Sequence, residues 1–444
     1  MQKLIALVCL VPFFCYSQRD YTSLFDKYMN AQASVNEFSG TVLVAQKGKI
    51  IYEKAFGMAD KEWTIPNTIQ TEFEIGSITK QFTAACILQL AEQEKLSLTD
   101  KLSEYFPDFP KGDSVTVHTL LTHTSGIKGY TELPEFWKIS TLPIEKDSMV
   151  ALIKRQPYNF SPGTSWSYSN SGYFLLGCII EKVSGKSYSD YVLNNVIHKA
   201  DLKNTFVNRW DTVLPYRAKG YDKSPDGWRN TSYISMEGPY SAGAMISTIE
   251  DLYQWNKALS SNKILTLAMF DKMITPYKEH YGYGLFIDSF QHHARIGHDG
   301  GINGFTSYLG YFPDDDIVVA GLSNHGGTFT QPIVNALAAI LFDIPVRAPA
   351  KHREITVDST LLNHYVGRYQ QPGASKEDAF IIKNGKLYWH TSWEGEFLMK
   401  PYSNTKFFLE DIPYWEFEFD INEKGEVVKA YLIEAGVKNE MRKS

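Results

Sequence analysis

An α+β fold that ends in a small antiparallel β-domain is predicted from three observations. The segment TVLVAQKGKIIYEKAFG (41–57) holds two strand-like runs around Gln46-Lys47-Gly48-Lys49, the pattern of a β-hairpin. The middle of the chain then turns to helical periodicity, with long apolar runs broken by Pro, Gly, Ser and Asn loops. Finally, the composition changes at IPVRAPAKHRE (344–354), and short alternating strands with glycine turns follow.

Taken in order, the chain opens with a targeting segment. Lys3 supplies a positive start, LIALVCLVPFFC an apolar run too short to span a bilayer, and Cys15-Tyr16-Ser17 small residues at the cleavage positions. Cleavage before Gln18 is expected, and with it a periplasmic or secreted location. No later segment is apolar enough to cross a membrane, so no stable insertion is expected after leader removal. Past the hairpin, residues 78–95 read as a helix; between Ala84 and Leu90 only Gln89 is polar, so this helix should be buried nearly all round. Helical stretches such as GYFLLGCIIEKVSG continue to residue 235, and another helical block begins near 247. YGYGLFI, GFTSYLGYF and DIVVAGLSN read as strands, and PIVNALAAILFDI (332–344) as a closing helix. Residues 1–17 are thus a signal peptide, 18–345 the main domain, 346–354 a linker and 355–444 a barrel-like domain with turns at Asn384-Gly385 and Glu423-Lys424-Gly425.

Composition removes several classes of function. With 43% hydrophobic and 21% charged residues the chain can build a packed core. A net charge of −6 without a basic tract argues against nucleic-acid binding and electrostatic membrane attachment. Cys86 and Cys178, the cysteines beyond the leader, lie in apolar helical runs and read as buried free thiols.

Three short motifs have chemical meaning. Ser77-x-x-Lys80 lies in EIGSITKQF, at the mouth of the buried helix. Residues three apart at a first helical turn share a face, so the amine stands beside the hydroxyl. A lysine in an apolar wall loses solvation, its pKa falls, and the neutral amine accepts a serine proton. A helix cap followed by a surface lysine is the competing reading, and Ser125/Lys128, Ser260/Lys263 and Ser403/Lys406 share the spacing. Tyr168-x-Asn170 sits in a loop before another apolar helix. Near cations its phenol would exist partly as phenolate and shuttle protons, while Asn170 would contact the lysine and donate to a substrate carbonyl. In RIGHDGGINGF, His298-x-Gly300-Gly301 offers glycines that let a substrate approach the backbone, and the Gly301 N–H a partner for that of Ser77 in an oxyanion hole.

The order Ser-x-x-Lys, Tyr-x-Asn, His-x-Gly, together with the blocks VTVHTLLTHTSGI, WSYSNSGYFLLGCIIEKVSGKSY and GHDGGINGFTSYLGYFPDDDIVVAGLSN, resembles the serine β-lactamase and penicillin-binding-protein superfamily, in particular class C β-lactamase-like hydrolases, over roughly residues 22–342. The resemblance implies a β-lactamase/transpeptidase-like fold: an antiparallel sheet flanked by helices, an all-helical part, and a site between them. It implies a cofactor-free serine hydrolase that acts through an acyl-enzyme on a small amide, a D-amino-acid-containing peptide or an ester. Ser77 would be the nucleophile, and Lys80 and Tyr168 would share the base and acid roles. Asn170, His298, Gly300 and Gly301 would bind substrate, with His123 and Ser125 as structural support. His298 stands where many relatives have the lysine of Lys-Thr-Gly, which favours a substrate carboxylate. That departure speaks against the alternatives of a β-lactamase or a D-Ala-D-Ala carboxypeptidase. A catalytically weak penicillin-binding or sensor protein is the reading from another class. The β-rich tail beginning GRYQQPG (367–373) resembles the C-terminal domain of many such hydrolases, and the oligomeric state is left open.

Two rival chemistries fit poorly. Gly238-Pro-Tyr-Ser241-Ala-Gly243 has one residue too many for a Gly-x-Ser-x-Gly elbow. His292, His293 and His298 lack a His-Glu-x-x-His spacing and clustered carboxylates, so no metal is expected.

Overall fold

The computed structural model describes residues 20–443 other than 210, 371–376, 392–394, 410, 411 and 413. The expected leader, with Cys9 and Cys15, lies outside the described residues, as do residues 371–373 of GRYQQPG.

A helix absent from the sequence reading comes first. α1 (Tyr21–Val35) begins at Asp20, whose carboxylate accepts the Ser23 N–H at 3.1 Å. It buries Phe25, Tyr28, Met29 and Gln32, a face half built from polar side chains and therefore weak as a pattern. β1 (Gly40–Gln46) and β2 (Lys49–Phe56) form the expected hairpin. Lys47 and Gly48 both take positive φ, 51° and 72°, as a type I′ turn requires.

The helical part follows, centred on α2 (Thr79–Glu92) and α3 (Asn170–Ser184), with α4 (Ile249–Ser260) closing it. Every residue of α2 from Thr79 to Leu90 is buried, as its composition predicts. Phe82 stacks on Trp255 of α4 with ring centroids 4.1 Å apart, and the indole N–H donates to Gln81 Oε1 at 2.8 Å. Truncating such a packed aromatic costs about 3–5 kcal/mol. Cys86 and Cys178 are buried free thiols.

β3 (Phe286–Phe290), β4 (His293–Ile302), β5 (Phe305–Phe312) and β6 (Ile317–Ser323) complete an antiparallel sheet of order β3-β4-β5-β6-β1-β2. Alternation along the central strands splits two cores. Val42, Val44 and Val319 pack with α1 and α5 (Thr330–Leu341) on one face, while Leu43, Ala45, Ala320 and Leu322 pack toward α2 and α4 on the other. Both faces are covered, so β6 reads as an unbroken apolar run.

Eight further strands, from Gly367–Gln370 to Val437–Lys443, close into an antiparallel barrel by pairing Tyr369 of the first with Lys443 of the last. Phe380, Trp389, Phe407, Phe417 and Phe419 fill it. Asn384-Gly385 forms the anticipated turn, with φ of 51° and 72°. The barrel docks on the far side of the sheet from the helical part: Tyr28 Oη of α1 donates to the Ala435 carbonyl at 2.7 Å, and Phe329 lies 5.4 Å from Trp415.

Candidate active site

Ser77 lies in a tight turn, Gly76–Ile78, that runs directly into α2. Gly76 has φ of 49°, and a Cβ there would meet the Gly301 nitrogen at 2.8 Å. A Cβ on Gly300 would stand 2.0 Å from the Ile75 carbonyl oxygen. Only glycine at these two positions lets β4 lie flat against the Ser77 turn. Gly300 thus packs backbone on backbone beside the Ser77 turn. Gly301 differs: a Cβ there meets nothing within 4 Å, and the residue lines a cleft with Ser77.

Lys80 is fully buried one turn after Ser77. Its Nζ has three oxygen neighbours: Ser77 Oγ at 2.9 Å, Asn170 Oδ1 at 2.7 Å and the Ala242 carbonyl at 2.8 Å. The ring of Tyr168 lies 4.8 Å from the same atom. Burial pushes the ammonium down to about 7, partly opposed by the Asp299 carboxylate. The Asn170 and Ala242 oxygens only accept. A neutral Lys80 therefore spends its two hydrogens on them, and its lone pair faces Ser77 Oγ. The other Ser-x-x-Lys pairs lack this setting. Lys263 is bonded to Asp201 and Lys406 to Glu418, while Ser125 Oγ accepts the Ile127 N–H.

Asn170 opens α3 behind the Ser169 cap and donates through Nδ2 to Thr131 Oγ1 at 3.0 Å. One Nδ2 hydrogen is left for a substrate carbonyl. Tyr168 is half-buried, but its Oη is enclosed and has no well-formed hydrogen bond among the described residues. Burial holds the phenol well above its ordinary pKa, and the adjacent Ser77 side chain only partly opposes this. The phenolate expected from the sequence is therefore corrected to a neutral phenol: removal from water outweighs the nearby cation.

His298 does not line the cleft. Strand alternation turns its ring inward, where Nδ1–H donates to the Asp299 carbonyl at 2.5 Å and Nε2 accepts from Tyr281 Oη at 3.0 Å. Burial holds it down to about 4, so it is neutral at pH 7. Its ring lies 6.1 Å from that of Tyr168. The structure thus places it behind the phenol, where a direct substrate contact would break both ring hydrogen bonds. His123 is buried against Tyr168 at 4.3 Å and accepts the Ser169 N–H at 3.1 Å, holding the Tyr168 loop. Burial and the Lys80 charge keep it neutral. Tyr281, Thr131 and the Ala242 carbonyl are site groups that sequence reasoning missed. Only Tyr281 had a signal, as an aromatic in a glycine-flanked run, YGYG.

The cleft, about 80 Å³, is walled by Tyr130, Phe136, Trp137, Ile234 and Pro239 around Ser77, Asn170 and Gly301. Its lining contains no arginine or lysine. None of its lining residues comes from the barrel. Ser241 is buried and donates to the Tyr173 carbonyl at 2.8 Å, and His293 pairs with Asp315 at 2.7 Å. Neither belongs to this site. The described residues contain no group of three or more His, Cys, Asp or Glu arranged to hold a metal.

The same fold occurs among known proteins. The Beta-lactamase family model matches residues 24–342. Penicillin-binding protein 4* of Bacillus subtilis (strain 168) is 30% identical over 428 residues, covering 90% of this chain and 93% of that protein. Among solved structures, an octameric penicillin-binding protein homologue from Pyrococcus abyssi superposes with a TM-score of 0.70 at 25% identity, over 95% of this chain and 100% of that one. D-amino acid amidase from Ochrobactrum anthropi SV3, complexed with L-phenylalanine amide, gives 0.63 at 26% identity over 69% and 92% of the two chains. A matched domain of this length, on a fold that sets a serine and a buried lysine at hydrogen-bond distance, makes the chain a member of the Beta-lactamase family.

Proposed function

We propose that the protein is a serine hydrolase that cleaves small amides, D-amino-acid-containing peptides or esters through an acyl-enzyme on Ser77. The observation that carries this reading is the coordination of Lys80 Nζ, two obligate acceptors and one serine hydroxyl around a buried amine held down to about 7. Ser77 Oγ attacks the substrate carbonyl carbon while its proton passes to Lys80 Nζ. The N–H groups of Ser77 and Gly301 hold the oxyanion, and Asn170 orients the substrate. Collapse breaks the bond to the leaving nitrogen or oxygen, which takes a proton from Lys80 by way of the Tyr168 hydroxyl. Water then attacks the ester carbonyl and gives a proton to Lys80; the C–Oγ bond breaks, Lys80 passes that proton to Ser77 Oγ, and the acid is released.

The cation-free cleft supports uncharged acyl groups and gives no anchor for a substrate carboxylate, which favours amidase and esterase chemistry over D-Ala-D-Ala carboxypeptidase or β-lactamase action. Relatives named for penicillin binding and for D-amino acid amide hydrolysis keep both amide classes in view. A periplasmic or secreted location after removal of residues 1–17 goes with this reading, and sequencing of the exported protein should begin at Gln18. The test of function is a panel of D-amino-acid amides, D-Ala-D-Ala peptides, p-nitrophenyl esters and nitrocefin on wild type and Ser77→Ala. Turnover of an amide or ester that disappears in Ser77→Ala is expected. Absence of all turnover, with no covalent labelling by a fluorophosphonate or a β-lactam, would leave a binding or sensor protein.

A further inference from the structure

Three consecutive side chains at the start of α3 reach one segment of the cleft wall. Ser169 Oγ donates to the Ile127 carbonyl at 2.8 Å. Ser171 Oγ donates to the Lys128 carbonyl at 2.7 Å and accepts the Tyr130 N–H at 2.9 Å. Between them, Asn170 Nδ2 donates to Thr131 Oγ1 at 3.0 Å. Thr131 and Asn170 both line the cleft beside Ser77.

The backbone around Thr131 is fixed without help from that hydroxyl. The Thr131 carbonyl accepts the Trp137 indole N–H at 2.8 Å. Glu132 Oε1 accepts the Gly129 N–H at 3.1 Å, and the Glu132 N–H donates to the Gly129 carbonyl at 3.1 Å. Thr131 Oγ1 is thus a post on a rigid turn, and among the described residues Asn170 is its one hydrogen-bond partner. The amide of Asn170 is bonded to Lys80 Nζ through Oδ1 at 2.7 Å. Held there alone, it could still swing about that contact. The Thr131 bond supplies the second point, which fixes the amide plane. One Nδ2 hydrogen is then committed to Thr131, and the other is left on the cleft side.

We propose that Thr131 is a positioning residue of the active site, whose hydroxyl holds the Asn170 amide in the plane from which Oδ1 meets Lys80 and Nδ2 meets the substrate. Among the described residues it makes no hydrogen bond to Ser77 or Lys80, so it acts through Asn170 alone. Its effect on rate rests on the acyl-enzyme reading, whereas the anchoring of the amide rests on the geometry by itself.

Two measurements test it. The first compares wild type, Thr131→Val, Thr131→Ser, Asn170→Ala and Thr131→Val/Asn170→Ala on the amides and esters of the substrate panel. Thr131→Val keeps the side-chain shape and removes the hydroxyl. It should lower kcat/KM about tenfold with Tm near wild type, and Thr131→Ser should restore the rate. In the Asn170→Ala background the same change should have no effect, because the group it positions is gone. The second follows the Asn170 side-chain amide by nitrogen-15 NMR, with the signal assigned by its absence in Asn170→Ala. One of its two protons should move upfield in Thr131→Val as the hydrogen bond is lost, and should stay in place in Thr131→Ser. That shift without turnover by any form would uphold the anchor and sink the hydrolase reading. Turnover by Thr131→Val at the wild-type rate with the amide signal unmoved would overturn the anchor and leave the hydrolase standing. An equal loss of rate in the wild-type and Asn170→Ala backgrounds would also overturn it, since Thr131 would then act by another route.

Discussion

The side-chain carbonyl of Asn170, at the start of α3, accepts a hydrogen bond from Lys80 Nζ of α2 at 2.7 Å. A neutral amide at this distance helps position the amine without holding it charged, as a carboxylate would. Asn170→Asp should therefore raise the Lys80 pKa by at least one unit. In wild type, kcat/KM should rise with pH up to about 7, where Lys80 loses its proton, and then level. The Asp variant should be at least tenfold slower at pH 7, with its rising limb moved to higher pH.

The same burial makes Lys80 a stability liability with a defined sign. Its folded pKa lies near 7, below the ordinary 10.5. Below pH 7 both states are protonated and the penalty is fully present. Between about 7 and 10.5 the unfolded chain binds the extra proton, so folding stability gains as pH rises. Denaturant unfolding of wild type and Lys80→Met across this range should show the difference shift toward wild type, by on the order of 5 kcal/mol in total.

Tyr168→Phe should separate function from folding. The removed hydroxyl has no well-formed partner in the resting protein. Its loss should leave Tm unchanged or slightly higher, because an unsatisfied buried group disappears. The rate on any substrate of the panel should fall by about 10²- to 10⁴-fold if the phenol relays the leaving-group proton. Full activity in this variant would remove Tyr168 from the mechanism.

The two glycines of β4 should respond differently to alanine. At Gly300 the new methyl would collide with the Ile75 carbonyl at 2.0 Å, and the strand must leave the Ser77 turn. A loss of stability of about 1–3 kcal/mol with collapse of activity is expected. Gly301→Ala has open space for the methyl, so its Tm should stay near wild type while KM changes. Thermal melts and steady-state kinetics of the pair check this.

Much of this arrangement was legible before any coordinates, for local reasons. Ser77 and Lys80 are three residues apart on a helix whose composition announces burial, so their contact follows from helical geometry. The hairpins at Lys47-Gly48 and Asn384-Gly385 were announced by their turn residues. Tyr168 and Asn170 could be tied to that pair only through chain order and family likeness, because the contact joins residues 90 apart in sequence. The Ala242 carbonyl has no side-chain identity to read. His298 was legible as a candidate site residue but not as one turned inward, since the facing of a strand depends on which side of the sheet α2 occupies. The charge state of Tyr168 went the wrong way because enclosure, which outweighs a neighbouring cation, is a property of the whole fold. α1 escaped because its buried face includes Tyr28 and Gln32.

Fluorophosphonate labelling, followed by peptide mass spectrometry between pH 5 and 9, tests most directly whether Lys80 activates Ser77. The label should fall on Ser77, at a rate that climbs about tenfold per pH unit until near pH 7 and then flattens, and Lys80→Met should be at least a hundredfold slower. A label on another residue, or a Ser77 rate that is flat with pH and unchanged in Lys80→Met, would contradict the account.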